Sequence, residues 1–299
     1  MGDTDRLTLA GLTDLVHHGK RIAMVTAYDA SSAALADEAG LDIILVGDSA
    51  AMTILGHAST LPVTMDEMVL LTRAVTRGVR RALVVADMPF GAYQMGEDEA
   101  LRNAIRFVKD AGADAVKLEG AGRTLTRIGA ILDAGIPVMG HVGLTPQSAS
   151  LTGGYKARGR TAADAKRIFD EARALERAGC FAVVLEAIPA PVAARITEAL
   201  KIPTIGIGAG AGCDGQVLVW HDLLGLTRGH VPRFVKRYAE LGATTLDALR
   251  RYAADVRDST FPDNSHTYGM PADELARFES QIGQPRADHH FTKTLRKGD

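Results

Sequence analysis

Short apolar runs alternate with longer segments of helical periodicity along most of this chain, and this alternation constrains the fold more than any other feature. The runs are rich in Val, Ile and Leu, which is typical of strands that are buried on both faces of a sheet. Several helical segments end in Ala-Gly, a common helix end because glycine accepts a left-handed backbone. Eight strands are predicted, at residues 21–29, 42–49, 82–89, 115–120, 137–144, 182–188, 203–210 and 216–222.

Strands that alternate with helices form parallel sheets, so the pattern predicts repeated βα units. Eight units with no linker between two halves favour a closed (β/α)₈ barrel. A doubly wound open sheet is the alternative, because the number of strands does not show closure. We expect one barrel domain over residues 1–260. Residues 261–299 lose the strand periodicity and become polar, which predicts a peripheral helix and a mobile tail.

Composition argues against several classes of function. The 299 residues carry a formal net charge of −2, which gives neither a basic surface for nucleic acid nor a cationic face for a membrane. The two cysteines are too few for a disulfide framework or a cysteine-based zinc site, and they favour a reducing cytoplasm. No apolar run is long enough to span a membrane. These features predict a cytoplasmic protein that acts on small molecules in a pocket.

Polar residues accumulate where the predicted strands end. In a (β/α)₈ barrel the active site lies at the carboxyl ends of the strands, so this accumulation is what a barrel enzyme requires. For any one of these residues, a helix cap or a surface charge is an equally good explanation. For the whole set, a shared site explains more. The set is Tyr28, Asp29, Asp48, Ser49, Asp87, Lys117, Glu119, His141 and Glu186.

Three acids of this set, Asp48, Asp87 and Glu119, end three consecutive strands. Because neighbouring strands lie roughly 4.8 Å apart, the three carboxylates can converge on one cation. Without a cation they would repel one another and raise each other's pKa. Hard carboxylate oxygens favour Mg²⁺ over zinc, and Mg²⁺ takes one or two direct protein carboxylates. We therefore expect a magnesium site in which some of the acids act through water.

Lys117 and His141 allow two interpretations each, whereas Glu186 allows one. Lys117 and Glu119 are two positions apart on one strand and point to the same face, either as a plain ion pair or as part of a site for an anionic substrate. His141 is either a core histidine or a substrate ligand. Glu186 lies in an apolar stretch at a strand end, where it suits a proton carrier.

Eight blocks of sequence, in one order from about residue 6 to about residue 260, carry a resemblance to a known family. They are "VTAYDASSAALADEAGLDIILVGDS", "GHASTLPVT", "ALVVADMPF", "AVKLEG", "GHVGLTPQS", "GGYKARGR", "VLEAIP" and "IPTIGIGAGAGCDGQVLVWHDLLGL". A block such as "VGDS" is weak by itself, whereas eight blocks in order are specific. The chain resembles the ketopantoate hydroxymethyltransferases.

The resemblance implies a (β/α)₈ barrel of the phosphoenolpyruvate/pyruvate superfamily, often assembled as a homodecamer, that works in cytoplasmic pantothenate synthesis. It implies transfer of a one-carbon unit from 5,10-methylenetetrahydrofolate to 3-methyl-2-oxobutanoate, which forms 2-dehydropantoate. It assigns Mg²⁺ to Asp48, Asp87 and Glu119 and makes Glu186 the proton acceptor. It assigns the keto acid to Ser49, Asp48, Asp87, Lys117 and His141.

The sequence departs from the family pattern around the second barrel unit. Ala50-Ala51 stands where Leu-Gly is typical, Ala58 replaces an acid, and Leu70-Leu71 replaces aromatic and His residues. None of these positions belongs to the metal or proton-acceptor set. We expect them to affect the pocket for the substrate side chain or the packing of subunits.

Two alternatives to the transferase stay open at this point. One is a carbon–carbon lyase of the same superfamily that acts on a 2-oxo acid. Such lyases usually carry a Cys-containing catalytic loop, and no such loop follows the fourth predicted strand. The other is a catalytically silent paralogue that forms rings. The intact acids and Lys117 argue against it, although the changes at Ala58 and Leu71 keep it open.

Overall fold

The computed structural model describes residues 6–148, 154, 156–229 and 231–282. Within them, eight parallel strands close into a barrel in which each strand pairs with the next and the last pairs with the first. This closure confirms the predicted (β/α)₈ barrel and excludes the open sheet. The strands are β1 (Ile22–Thr26), β2 (Ile43–Val46), β3 (Leu83–Asp87), β4 (Ala115–Glu119), β5 (Val138–Gly143), β6 (Ala182–Glu186), β7 (Thr204–Ile207) and β8 (Gly215–Leu218).

Helices connect the strands, and their ends follow from local sequence. Helix α4 begins with a capping box in which Thr64 and Glu67 bond to each other's backbone N–H, and α7 ends at the left-handed residue Gly179. No described helix is long and apolar enough to cross a membrane. The helices are α1 (Leu9–His17), α2 (Ala30–Glu38), α3 (Ala50–Thr53), α4 (Met65–Gly78), α5 (Glu97–Ile105), α6 (Thr124–Asp133), α7 (Ala162–Ala178), α8 (Ala190–Ala199), α9 (Trp220–Leu223), α10 (Leu241–Arg257) and α11 (Ala272–Ile282).

All eight strands end earlier than predicted, four of them by three or four residues. β1 ends at Thr26, β2 at Val46, β7 at Ile207 and β8 at Leu218, whereas the predicted ends were 29, 49, 210 and 222. The difference is largest at β8, where the backbone N–H of Trp220 donates to Thr26 Oγ1 at 2.9 Å and the chain turns into α9. A side-chain acceptor on a neighbouring strand thus replaces the ladder partner that a longer strand would need.

Side chains at alternate strand positions point into the barrel and form one of two cores. The interior core is apolar near the amino ends of the strands and includes Leu12 of α1. The other core contains the alternate strand residues together with buried helix residues such as Phe107. Members of the interior core include Ile22, Met24, Ile43, Leu45, Leu83, Val85, Ala115, Met139, Ala182, Val184, Ile205 and Val217.

The chain divides into two compact units, residues 1–242 and 243–299. The first unit contains the barrel. In the second, the ring of Phe261 lies 5.8 Å from Tyr252 and 5.3 Å from His266, measured between ring centroids. The domain boundary at residue 260 stays a prediction. Residues 261–299 were predicted to form a peripheral helix and a mobile tail, and those beyond 282 lie outside the described residues.

Gly143 ends β5 with a φ of +100°, a conformation that side chains disfavour. A Cβ at this position would lie 2.3 Å from the backbone carbonyl oxygen of Glu186 on β6. We therefore expect Gly143→Ala to lower the free energy of unfolding by about 2–4 kcal/mol, through backbone strain and overpacking. Chemical denaturation monitored by circular dichroism measures this change.

Gly129→Ala is the matched control, because Gly129 lies within α6 and a Cβ there meets nothing within 4 Å. We expect this control to raise the stability by roughly 0.5–1 kcal/mol, as Ala does in a helix. Equal stability of the two variants would contradict the close approach of β5 and β6 at Gly143.

Candidate active site

The strand register brings the predicted site residues to the carboxyl ends of neighbouring strands. Asp87 on β3 is level with Lys117 on β4, and Glu119 is level with His141 on β5. One strand further, Glu186 ends β6 opposite Gly143. Since these side chains continue the inward-facing positions of their strands, the apolar barrel interior gives way to a polar layer at this end.

A buried ion pair joins β3 and β4. Lys117 Nζ lies 2.7 Å from Asp87 Oδ1 and 2.8 Å from Oδ2, and both side chains are buried. Burial opposes the charge on Lys117, but Asp87, Glu119 and Asp48 outweigh this cost and raise the lysine pKa. The ion-pair interpretation named Glu119 as the partner of Lys117. The structure instead shows Asp87, because it is the residue level with Lys117 on the neighbouring strand.

Asp48 follows β2 and points at the same cluster. Its backbone N–H donates to Asp87 Oδ2 at 3.3 Å, and its Oδ2 accepts from Gln147 Nε2 at 3.0 Å. Burial, followed by the charges of Asp87 and Glu119, raises the pKa of Asp48 well above its ordinary value. Burial likewise raises the pKa of Asp87, although Lys117 opposes the shift. The carboxylates therefore crowd one another, as their sequence positions predict.

The cluster has the donor atoms that Mg²⁺ prefers. No three His, Cys, Asp or Glu side chains of the described residues form a ready-made metal-binding set. However, Mg²⁺ takes only one or two direct protein carboxylates and keeps several waters. Three buried acids face one lysine, and Glu119 Oε1 is buried without a hydrogen-bond partner in the described part of the chain. This oxygen-only set with an unsatisfied oxygen fits a hydrated magnesium ion.

His141 lies between two acids. Its Nδ1 is 3.5 Å from Glu119 Oε1 and its Nε2 is 3.2 Å from Glu186 Oε2, with neither contact in hydrogen-bond geometry. Burial and the charge of Lys117 disfavour the imidazolium, but Glu119 and Glu186 favour it more and raise the pKa of His141 to about 9. Glu186 is more exposed than the other acids, at 17% of its side chain, so it faces the accessible part of the site.

Ser49 and Tyr28 meet beside the acids, whereas Asp29 does not join them. Ser49 Oγ lies 2.8 Å from the Tyr28 hydroxyl and makes no capping hydrogen bond, although Ser49 directly precedes α3. Burial raises the pKa of Tyr28, so this hydroxyl keeps its proton. Asp29 accepts hydrogen bonds from two backbone N–H groups at the start of α2 and is a helix cap.

Two site residues were not predicted from the sequence, Tyr93 and Gln147. Tyr93 follows β3 and Gln147 follows β5, and both are buried against the acids. Gln147 lies within the block "GHVGLTPQS", so the resemblance contained a signal for it. Tyr93 has no strand-end position that would have singled it out.

The departures from the family pattern lie beside the site and on the surface. Ala50 and Ala51 follow Ser49 and are fully buried in the core that also contains the buried helix residues. Ala58 is exposed, and Leu70 on α4 is 63% exposed. Their effect on the substrate pocket or on subunit packing stays a prediction.

Solved structures with the same fold are distant in sequence. A 2,3-dimethylmalate lyase, described as a member of the PEP mutase/isocitrate lyase superfamily, superposes with a TM-score of 0.56 at 17% identity, covering 92% of this chain and 98% of that one. A phosphonopyruvate hydrolase in complex with oxalate and Mg²⁺ gives 0.56 at 14% identity, covering 91% and 98%. These similarities confirm the barrel fold.

Close relatives in sequence carry one name, 3-methyl-2-oxobutanoate hydroxymethyltransferase. The relative from Oleidesulfovibrio alaskensis is 56% identical over 88% of this chain and 91% of its own. Those from Carboxydothermus hydrogenoformans and Moorella thermoacetica are 51% and 54% identical over 91% and 90% of this chain, and 99% and 100% of their own. The family model for ketopantoate hydroxymethyltransferase matches residues 6–264. The chain therefore belongs to the ketopantoate hydroxymethyltransferase family.

Proposed function

We propose that this chain transfers a hydroxymethyl group from 5,10-methylenetetrahydrofolate to 3-methyl-2-oxobutanoate, with uptake of one water, to give 2-dehydropantoate and tetrahydrofolate. The observation that carries this proposal is the grouping of Glu186 and His141 beside Lys117 and three buried acids. A proton acceptor, cationic groups and a cluster of oxygen ligands are what enolate chemistry at a 2-oxo acid needs.

The keto acid is bound by Lys117, Ser49 and His141. Asp48 and Asp87 contribute to its binding through the cation. Lys117 is held as a cation by its carboxylate neighbours and attracts the substrate carboxylate. The Ser49 hydroxyl can form a further hydrogen bond in addition to its contact with Tyr28. These groups fix the keto acid for attack on the folate carbon, which lowers the entropic part of the barrier.

Asp48 and Asp87 would hold Mg²⁺, with Glu119 acting directly or through water. When bound, Mg²⁺ supplies Lewis-acid stabilisation of the negative charge that develops on the keto oxygen. The support for this assignment is the unsatisfied Oε1 of Glu119 and the excess of buried negative charge over Lys117.

Glu186 takes the proton from C3 of the keto acid, the carbon next to the keto group. Its carboxylate is the most accessible of the acids, so it can approach a substrate bound above the buried cluster. His141 contacts Glu186 on one side and Glu119 on the other. As an imidazolium it stabilises the carboxylate of Glu186 and adds positive charge near the substrate.

The pathway, the location and the assembly of the enzyme are proposed from the family resemblance. We propose that the enzyme serves pantothenate synthesis, works in the cytoplasm and assembles as a homodecamer. The lyase alternative is supported only by the shared barrel fold, because the solved lyase is 17% identical to this chain. Both cysteines, Cys180 and Cys213, are buried, and burial raises the pKa of each thiol, which does not suit a catalytic loop.

Exchange of the C3 proton tests the role of Glu186. In D₂O with Mg²⁺ and 3-methyl-2-oxobutanoate, we expect the wild type to exchange this proton, with and without tetrahydrofolate. Glu186→Gln removes the acceptor and should slow the exchange by roughly 100-fold or more. Proton NMR of the keto acid follows the reaction.

Glu198→Gln is the matched control, since Glu198 is an exposed residue of α8 paired with Arg195, and its exchange rate should equal that of the wild type. Folded wild-type protein that catalyses no metal-dependent exchange, with or without folate, would exclude the transferase and favour the silent ring-forming paralogue. Cleavage of a 2-oxo acid without folate would favour the lyase.

The cation assignment makes a separate prediction. Treatment with a chelator should abolish the exchange, and added Mg²⁺ should restore it. Asp87→Asn should lower the Mg²⁺-dependent rate on the order of 100-fold, because the cation contributes several kcal/mol and Lys117 loses its partner. Asp170→Asn, which alters an exposed acid on α7, serves as the control and should leave the rate unchanged. Exchange that survives the chelator would contradict the metal site.

A further inference from the structure

Gln147 is a buried amide at the beginning of the segment between β5 and α7. Its Nε2 donates to Asp48 Oδ2 at 3.0 Å and to the backbone oxygen of Met88 at 2.9 Å. Its Oε1 accepts from the Tyr93 hydroxyl at 2.7 Å. Because the backbone oxygen of Met88 can only accept, it must face Nε2 and not Oε1, so the orientation of the amide is fixed by its surroundings. One side chain thus joins segments that follow β2, β3 and β5.

Gln147 and Tyr93 also form hydrogen bonds with Glu119. The backbone N–H of Gln147 donates to Glu119 Oε2 at 3.1 Å, and the Tyr93 hydroxyl accepts from the backbone N–H of Glu119 at 3.3 Å. Because the amide oxygen of Gln147 can only accept, the Tyr93 hydroxyl donates its proton to Gln147 and accepts from Glu119 with a lone pair.

We propose that Gln147 and Tyr93 are positioning residues that orient the carboxylates of Asp48 and Glu119 at the cation site. This inference rests on the proposed function, which assigns a cation to these acids. It adds to the site two residues from outside the strands, Tyr93 after β3 and Gln147 after β5.

In Glu119, one carboxylate oxygen is bonded to the protein and the other is left for a ligand. Glu119 Oε2 is bonded to the Gln147 backbone, while Oε1 is buried without a hydrogen-bond partner in the described part of the chain. A fixed donor on one carboxylate oxygen directs the other oxygen to a ligand, as outer hydrogen bonds do in metal sites. Neutral donors are also needed here, because three buried acids repel one another and, among the described residues, Lys117 Nζ bonds only to Asp87.

The bonded network distinguishes these residues from ordinary core residues. A tyrosine and a glutamine that served only packing would not place every polar atom against an acid or against each other. Here the amide bonds Asp48, Met88 and Tyr93, and the phenol bonds Gln147 and Glu119. Buried networks of this kind hold their members in one arrangement only while all members are satisfied.

Two conservative variants test the proposal in the full chain. Tyr93→Phe removes one hydroxyl, and Gln147→Met removes the amide while keeping the length of the side chain. We expect each to weaken Mn²⁺ binding roughly 10- to 100-fold relative to the wild type, as loss of outer hydrogen bonds does elsewhere. Isothermal titration calorimetry with Mn²⁺ alone, without keto acid or folate, measures the affinity.

Thr72→Val is the control. Thr72 is buried in α4, and its hydroxyl donates to the backbone oxygen of Met68 at 2.7 Å. This variant also loses a buried hydrogen bond and should lose stability, but its Mn²⁺ affinity should remain that of the wild type. A merely structural role for Tyr93 and Gln147 would give the same result as this control.

Crystal structures of the two variants without a divalent cation provide a second readout. We expect the carboxylate of Asp48 or Glu119 to move by more than about 1 Å from its wild-type position, beyond what a preorganised site tolerates. Wild-type Mn²⁺ affinity in both variants overturns the proposal. If the wild type itself binds no Mn²⁺, the cation of the proposed function is refuted, and unmoved carboxylates in the variant structures then overturn the positioning roles as well.

Discussion

The buried ion pair between Lys117 and Asp87 is the interaction on which the site depends. Removing charges from water is costly, and an unpaired acid at this depth would be costlier than a paired one. Lys117 neutralises one of three buried acids, and burial together with the remaining negative charge raises the pKa of Asp48. The cluster thereby gains an affinity for further positive charge, which is what a cation site requires.

The barrel supplies the geometry for this cluster. Along each strand, alternate residues face the interior, and these positions are apolar near the amino end and polar at the carboxyl end. The apolar layers stabilise the closed sheet, and the polar layer holds the residues to which the proposed chemistry is assigned. A change at Met139 would therefore affect folding, whereas a change two residues later at His141 affects the site.

The same barrel serves other chemistries in distant proteins. The lyase and the hydrolase that share this fold are less than a fifth identical to this chain, so the fold alone does not determine the reaction. The relatives that share the name of the family are more than half identical over most of their length. The features that support the transferase are therefore those of the site, namely Glu186 with His141 and the acids with Lys117.

The sequence by itself determined the alternation of eight strands with helices and the set of polar residues at the strand ends, because these depend on local periodicity and on residue type. It also determined that Lys117 and Glu119 share a face, since they are two positions apart on a strand. Only the tertiary structure decided that the sheet closes into a barrel, because closure depends on pairing between the first strand and the last. It also decided that Lys117 pairs with Asp87, because that choice depends on the register between two strands. Gln147 lies 99 residues from Asp48 and 54 from Tyr93 in sequence, so only closure of the barrel brings their hydrogen bonds together.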